Sequence, residues 1–499
     1  MKKGGNDMIR VTIPAGNRGL SLALWLSQAG YSAILPCGGA GRCGNCRVLL
    51  LSGKLFDRDD PDKELLPDDT GEVRACRALL PDGETVVGIP DGWDAPGAGQ
   101  APRHYAAGAL DLGTTTLALR LRGEDGSVLE TSAANPQCVY GADVASRITA
   151  AAEKGVKAVQ KVLLERLSSL LAGCTVGRLS VVGNPTMIHI FAGVSPDPIG
   201  VSPFTPSFSE EKEFPGALLG LPVGTVVLLP SVKGAGYLGS DLVAGAYAAG
   251  TLGFEEPTVY LDLGTNGELL LSTGSRNGGH LYAASCAVGP CFEGAGIGSG
   301  VGGIPGAVSR VVRREGEFLF STIDDLPPVG ISGSGLIDLF ALLLKKGGIG
   351  RDGKLDEPFT LIGRQAFADG TLSPETETPV TIEQRDVRAL QTAKAAVRAG
   401  IAALLAAAWI DPDEIETVLL AGSFGRYISP VSAAAIGLLP PGWEKEARAV
   451  GNAALEGADL WFSSDESRDG IARIAGSTIV VDLNSSPAFR EAFLGGLDF

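Results

Sequence analysis

Basic charge is scarce in this chain, and that scarcity narrows its partners. Lys and Arg number 41 against 57 Asp and Glu, a net charge of -16. Nucleic acid and anionic membranes both need a basic footprint, so neither is expected as a partner. Long apolar runs are missing too. Ile401–Ile410 falls well short of the ~18–20 residues a membrane-spanning helix requires. Lys2 and Lys3 lead into Gly4, Gly5, Asn6 and Asp7, where a secretory signal would have an apolar stretch, so the cytoplasm is the expected location. No G-x-x-x-x-G-K-[ST] loop occurs, which excludes a P-loop ATPase. Histidine is limited to His104, His189 and His280, and each is read as an ordinary packed or surface residue.

What is present is ordinary in its cores and unusual in its glycine. Of 499 residues, 45% are hydrophobic and 20% charged, enough for about three packed units. The 70 glycines are about twice the usual ~7% and imply many turns and close backbone–ligand approaches. Eight cysteines in a chain expected to be cytoplasmic point to metal or thiol chemistry, not to a disulfide framework.

Residues 1–90 read as an α+β unit. The pattern predicts strands at Met8–Ile13, Arg47–Leu51 and Thr85–Ile89, a short helix at Ser21–Ala29 and a charged loop at Asp57–Thr70. Residues 91–104, rich in Gly, Pro and Ala, read as a linker. From Tyr105 to Phe499 strands alternate with amphipathic helices, among them Val144–Leu171 and Asp386–Trp409, as in α/β folds. The pentapeptide Leu-Asp-Leu-Gly-Thr occurs at Leu110–Thr114 and again at Leu261–Thr265, 151 residues on (262 − 111). A duplicated strand–turn–strand of this kind predicts two lobes, about 105–256 and 257–499, with a cleft between them.

Cys37, Cys43, Cys46 and Cys76 have the spacing C-x5-C-x2-C-x29-C. A tight glycine-rich loop followed by a distant fourth thiolate suits a [2Fe–2S] cluster, because small residues let backbone N–H groups reach the sulfurs. Zinc is the alternative, but zinc sites usually use two paired C-x-x-C knuckles and here there is one. Cys138, Cys174, Cys286 and Cys291 are read as packing residues.

In Asp111-Leu-Gly-Thr-Thr-Thr, Gly113 allows a hairpin to approach a phosphate, and Thr114, Thr115 and Thr116 offer hydroxyls and N–H groups to its oxygens. Asp111 can hold Mg²⁺ through water. Asp262-Leu-Gly-Thr-Asn-Gly-Glu268 repeats this chemistry with Gly264, Thr265 and Asn266, and Asp262 or Glu268 could orient an attacking water. The strand ending in Gly422-Ser423-Phe-Gly425 suits a nucleoside packed on bare backbone. Gly333-Ser334-Gly335, ahead of a helix, is a further phosphate-loop candidate.

Taken in order, these motifs resemble the sugar kinase, heat-shock chaperone and actin ATPase superfamily. The whole chain resembles the ATP-dependent reductive activators of corrinoid proteins. That resemblance is carried by the Cys37–Cys46 loop, Asn135-Pro-Gln, Tyr140-Gly-Ala-Asp143, Val182-Gly-Asn-Pro-Thr-Met187 and Tyr237-Leu-Gly-Ser-Asp241. It continues through Asp262–Glu268, Phe292-Glu-Gly294, Gln391-Thr-Ala-Lys394, Gly422–Gly425 and Gly451-Asn-Ala-Ala-Leu-Glu-Gly457. It implies a β-grasp ferredoxin-like domain followed by a two-lobed, actin-like (ribonuclease H-like) ATPase domain, with Lys394 on a helix flanking the nucleotide. Larger members carry an extra domain between the two parts. Cys76 and Asp111 are only 35 residues apart (111 − 76), so that domain is expected to be absent.

The implied activity is ATP-dependent, one-electron reduction of Co(II) to Co(I) on a corrinoid protein, with a [2Fe–2S] cluster, ATP and Mg²⁺ as cofactors. An upstream low-potential electron donor is implied, and a homodimer is one assembly the resemblance allows. The alternatives are an ATP-dependent activase for another low-potential enzyme and a non-catalytic electron carrier. A plant-type cluster lies near about −400 mV, and each further 100 mV uphill costs about 2.3 kcal/mol per electron, which is why ATP is needed.

Overall fold

The structure, a computed structural model, describes residues 8–29, 46–58, 60–68, 70–90, 103–141, 143–294, 296–422 and 428–499. They group into two compact units. The smaller contains the chain through Tyr105 together with Lys161–Thr175 and Gly216–Pro222. The larger contains the remainder.

In the smaller unit, Met8–Ile13 pairs antiparallel with Thr85–Pro90. Thr85–Pro90 pairs with Arg47–Ser52, and Arg47–Ser52 with Glu72–Arg74. Alternation sends Val11, Ile13, Val48, Val87 and Ile89 to one face. Leu22 and Leu26, four apart on the helix Leu22–Gln28, close over that face. The stretch expected to be a charged loop contains a strand instead. Asp60–Glu64 pairs with Phe56–Asp57, which pairs with Ala78–Leu79. Every residue of Asp60–Glu64 is exposed, so no apolar alternation marks it in the sequence. Most of the linker expected at 91–104 lies outside the described residues; the next strand begins at Arg103.

The larger unit repeats one design twice. Arg103–Leu112, Thr116–Arg122 and Val128–Ala134 form an antiparallel meander. Thr258–Leu263, Gly267–Ser272 and Leu281–Cys286 form its counterpart. Each meander extends into a six-stranded sheet. Its first strand carries the duplicated aspartate as its penultimate residue: Asp111 opposite Ala118, and Asp262 opposite Glu268. A further five-stranded sheet, from Ala307 to Ile382, belongs to the second half.

The expected helix over 144–171 is two helices, Val144–Lys154 and Val156–Leu170, divided at Gly155. The expected helix over 386–409 runs from Gln384 to Ala408 and ends where Trp409 turns left-handed. Helices Ser240–Ala248 and Ala453–Leu460 cross in close contact. A Cβ on Gly457 would stand 2.1 Å from the Ala244 carbonyl oxygen, so only glycine permits this approach. The crossing brings the N-termini of both helices to the duplicated hairpins.

On the helix Pro185–Ala192, His189 is held neutral between two backbone groups. Nδ1 faces the Pro185 carbonyl at 2.7 Å, Nε2 accepts from the Ser207 N–H at 3.0 Å, and the ring stacks on Phe208. Burial lowers its pKa from 6.5, against the pull of the Pro185 carbonyl. Its contribution to stability is therefore complete above about pH 6.5 and is lost as pH falls toward the lowered value. His189→Phe is expected to cost about 1–3 kcal/mol at pH 7.5. That cost should shrink measurably at pH 5.5 in urea titrations; a pH-independent cost would contradict the neutral assignment.

Candidate functional site

Cys46 ends the described side of the glycine-rich loop, directly before the strand Arg47–Ser52. Cys76 sits in the short turn Ala75–Arg77. The Ala75 N–H donates to the Cys46 carbonyl at 2.8 Å, and the two sulfurs lie 3.2 Å apart. Both are buried, 1% and 2% exposed. This is a convergent pair of metal-type ligands within a packed core, not a disulfide, and it fits two of the four positions a [2Fe–2S] cluster needs. Cys37 and Cys43 lie outside the described residues. Cys286 and Cys291 are buried in the core of the second half, where burial pushes both thiols up, Cys291 to about 12. Neither is near thiolate chemistry.

The cleft between the duplicated hairpins has a volume of about 110 Å³ and opens to solvent. Asp111, Gly113, Thr114, Thr115 and Thr116 line it from the first half. Asp262, Gly264, Thr265, Asn266, Glu268 and Gly422 line it from the second. Gly422 has φ of 100°, and a Cβ there would stand 2.6 Å from the Leu263 carbonyl oxygen. Bare backbone therefore borders the cleft at this point. Ser423 and Gly425 lie outside the described residues.

Four polar lining residues were not singled out for the site by sequence reasoning: Asn184, Asp241, Glu293 and Asn452. All four sit inside motifs that carry the family resemblance, which was the available signal. Asp241 enters on the first turn of Ser240–Ala248, and Asn452 caps Ala453–Leu460. Asn452 accepts from the Leu455 N–H at 2.9 Å with its oxygen and donates to Asp111 Oδ2 at 2.8 Å with its nitrogen. Asn184 donates to the Thr114 hydroxyl at 3.0 Å. The Tyr260 hydroxyl donates to Asp262 Oδ2 at 3.2 Å.

Two sequence expectations are corrected. Gly333, Ser334 and Gly335 do not line the cleft. They are buried where the helix Gly333–Lys346 packs down: a Cβ on Gly333 would stand 1.9 Å from the Phe292 carbonyl oxygen, and Ser334 donates to the Ser309 carbonyl at 2.8 Å. The glycines serve close packing, not phosphate. Lys394 is also outside the lining. Its Nζ donates to the Gly496 and Asp498 carbonyls and lies over the Phe499 ring. Burial lowers its pKa to about 8. Its donors tie down the segment after the helix Pro487–Gly495.

The electrostatics of the cleft are one-sided. Asp111, Asp241, Asp262, Glu268 and Glu293 line it, and among the described residues no Lys or Arg does. Burial pushes Asp111 to about 7, against its bond from Asn452 and with the charges of Asp262 and Glu293 adding to the rise. Burial likewise carries Asp241 to about 7 and Asp262 to about 6, the latter opposed by Tyr260. Glu268 is raised well above the carboxylate range by burial and by Asp241 and Asp262. Such a set repels a bare polyphosphate and accepts one that arrives with a cation. Among the described residues no three Asp, Glu, His or Cys groups converge as a complete metal site.

Fold and sites together define an iron–sulfur protein fused to an actin-like ATPase. Three family descriptions match in succession: "2Fe-2S iron-sulfur cluster binding domain" over residues 7–81, "RACo middle region" over 106–252, and "C-terminal domain of RACo the ASKHA domain" over 256–499. The middle-region match falls on the residues carrying the first hairpin and its sheet. The chain is 30% identical over 416 residues to the corrinoid activation enzyme RamQ of Eubacterium limosum, covering 77% of this chain and 69% of that protein. It is 26% identical over 437 residues to the [Co(II) methylated amine-specific corrinoid protein] reductase of Methanosarcina barkeri, covering 78% and 76%. A solved reductive activator for a corrinoid, iron–sulfur protein superposes with a TM-score of 0.71 at 25% identity, covering 98% of this chain and 96% of that one. The chain belongs to the RACo family of corrinoid reductive activators.

A cleft whose described charged residues are all acids is costly to keep ionised, so removing one charge should stabilise the free protein. Asp241→Asn is expected to raise stability at pH 8 by about 1–3 kcal/mol, with the gain shrinking toward pH 5 as the wild-type carboxyl takes up its proton. Thermal unfolding without nucleotide at the two pH values checks this. Destabilisation at pH 8 would contradict the electrostatic reading.

Proposed function

We propose that this protein restores the Co(I) state of a corrinoid protein by ATP-dependent, one-electron reduction of its Co(II). The observation that carries the reading is the pairing in one chain of the buried Cys46–Cys76 thiols with a carboxyl-lined cleft between duplicated hairpins. The relatives' names agree with it, which favours a corrinoid over another low-potential acceptor.

Cys37, Cys43, Cys46 and Cys76 are assigned as cluster ligands. A [2Fe–2S] cluster bound there supplies a one-electron donor, and the corrinoid cobalt is the substrate. Burial of Cys46 and Cys76 keeps water from their sulfurs.

In the cleft, Thr114, Thr115 and Thr116 and the Gly264–Asn266 turn are assigned to phosphate oxygens, through hydroxyl and N–H donors. Asp111 and Asp262 are assigned to hold Mg²⁺ through water, and the cation would offset the surplus of carboxylates. Gly422, with Ser423 and Gly425, is assigned to the nucleoside. Asp241 and Glu268 face the same space with raised affinity for protons. Either can take the proton of an attacking water that Asp262 orients. An upstream low-potential donor must reload the iron–sulfur domain. A cytoplasmic setting and a homodimer are compatible with this reading; no described helix is long and apolar enough to cross a membrane.

Two variants separate the halves. Cys76→Ser should lose the red-brown [2Fe–2S] spectrum while retaining nucleotide binding. Asp262→Ala should keep the spectrum and slow ATP-dependent Co(I) formation by about 10²–10⁴-fold. The assay is anaerobic: reduced protein, Mg-ATP and a Co(II) corrinoid protein, followed at the Co(I) absorption band. Full-rate reduction by Asp262→Ala would overturn the coupling to ATP.

A further inference from the structure

Glu293 lines the cleft but has no task in the chemistry above. It ends the short turn Pro290–Glu293, and its position is specific. Oε2 accepts from the Thr115 hydroxyl at 2.9 Å and also from the Thr265 hydroxyl, and those hydroxyl oxygens lie 3.1 Å apart. Thr115 belongs to the first hairpin and Thr265 to the second. One carboxylate oxygen thus ties together the tips of both copies of the repeat.

A second observation lies behind the first hairpin. Arg147 is 1% exposed, yet it makes no ion pair with any described residue. Its Nη2 donates to the Thr114 carbonyl at 2.5 Å, its Nη1 meets Gln137 Oε1 at 3.4 Å and Met187 Sδ at 3.1 Å, and its buried Nε has no partner. A buried guanidinium with no direct ion pair is costly, and the nearby charges of Asp143 and of Glu293 at the hairpin tip offset that cost through the field. In the nucleotide-free protein the carboxylate at that tip is Glu293.

Resting on the nucleotide reading of this cleft, the geometry points to Glu293 as a positioning residue. It stands in for a phosphate, clasping Thr115 and Thr265 until the terminal phosphates of a nucleotide take both hydroxyls from it. A carboxylate and a phosphate cannot share two donors that lie 3.1 Å apart, because like charges at that range repel strongly. Nucleotide arrival therefore displaces Glu293. The displacement does not stay local, because the Phe292 carbonyl is packed hard against Gly333 at the start of the helix Gly333–Lys346. The turn cannot move without that helix responding. Terminal phosphate is thereby read out as a shift in the second half of the ATPase domain.

The test compares Mg-ATP and AMP binding by calorimetry for wild type, Glu293→Ala and Glu293→Gln. AMP lacks the terminal phosphates that would take the two threonine hydroxyls. Removing the clasp should tighten ATP by about tenfold in Glu293→Ala and leave AMP within about twofold. Glu293→Gln, neutral but still able to bond the hydroxyls, should fall between, and it serves if the alanine variant does not fold. ATP binding that is unchanged or weaker in both variants, while wild type binds ATP, would overturn the clasp and leave the nucleotide reading intact; weakening with loss of Mg²⁺ dependence would make Glu293 a cation-side group. Failure of wild type to bind either nucleotide would overturn both.

Discussion

Five carboxyl groups lining one cleft, with no lysine or arginine beside them among the described residues, are the constraint on which the ATPase half depends. Nothing in folding favours such an arrangement, since burial makes each ionised carboxylate costly and each neighbour adds to the cost. The protein holds it in place with hydrogen bonds from Asn452 and Tyr260, and with a helix crossing so tight that Gly457 lies on the Ala244 backbone. Strain kept at one place by an over-determined surround is characteristic of a functional site. It also supplies a driving force. A cation-bearing nucleotide removes the excess charge and stabilises whichever conformation binds it best.

The two copies of the repeat are joined by more than the cleft. Arg120 on the strand Thr116–Arg122 reaches Glu456 at 2.6 Å and Asp459 at 3.0 Å, and Arg122 chelates the same Asp459. Burial alone would raise the Asp459 pKa, but the two arginines hold it below the usual carboxylate range. Ser180 donates to the Ala458 carbonyl at 2.6 Å. The helix Ala453–Leu460 therefore carries Asn452 at its start, on Asp111, and an ionic tie to the first-half meander further along. A change in how Asn452 meets Asp111 moves a rigid element whose other contacts are fixed by paired charges. Two discrete arrangements are the natural outcome of such a joint, because packed interfaces switch and do not deform continuously.

Much of this was legible in the sequence, for identifiable reasons. The duplicated Leu-Asp-Leu-Gly-Thr and the strand ending at Gly422 are local, and a local motif survives folding unchanged. Helix limits were legible to within a few residues, except where Gly155 divides one helix. What was not legible required distance. Glu293 and Asp241 are ordinary acids in the sequence and become cleft residues only because a turn and a helix start converge on the hairpins. The opposite error has the same root. Gly333-Ser334-Gly335 has the composition of a phosphate loop, and Lys394 sits in a family motif. Yet one packs against Phe292 and the other bonds carbonyls at Gly496 and Asp498. Composition alone cannot tell a backbone approach to a ligand from a backbone approach to a neighbouring strand.

Every described residue lining the cleft belongs to the larger compact unit, and Cys46 and Cys76 belong to the smaller. Driving an electron 100 mV uphill requires about 2.3 kcal/mol, a population ratio of about 50 between two conformations. A nucleotide that prefers one arrangement of the hairpins by that margin suffices, provided that the acceptor complex distinguishes the same two arrangements. The coupling is then a difference in binding free energy that both sites bias. The thermodynamic demand falls on how differently the two hairpin arrangements bind the terminal phosphates. The place where that difference is largest is the pair of hydroxyls that a carboxylate and a phosphate both require.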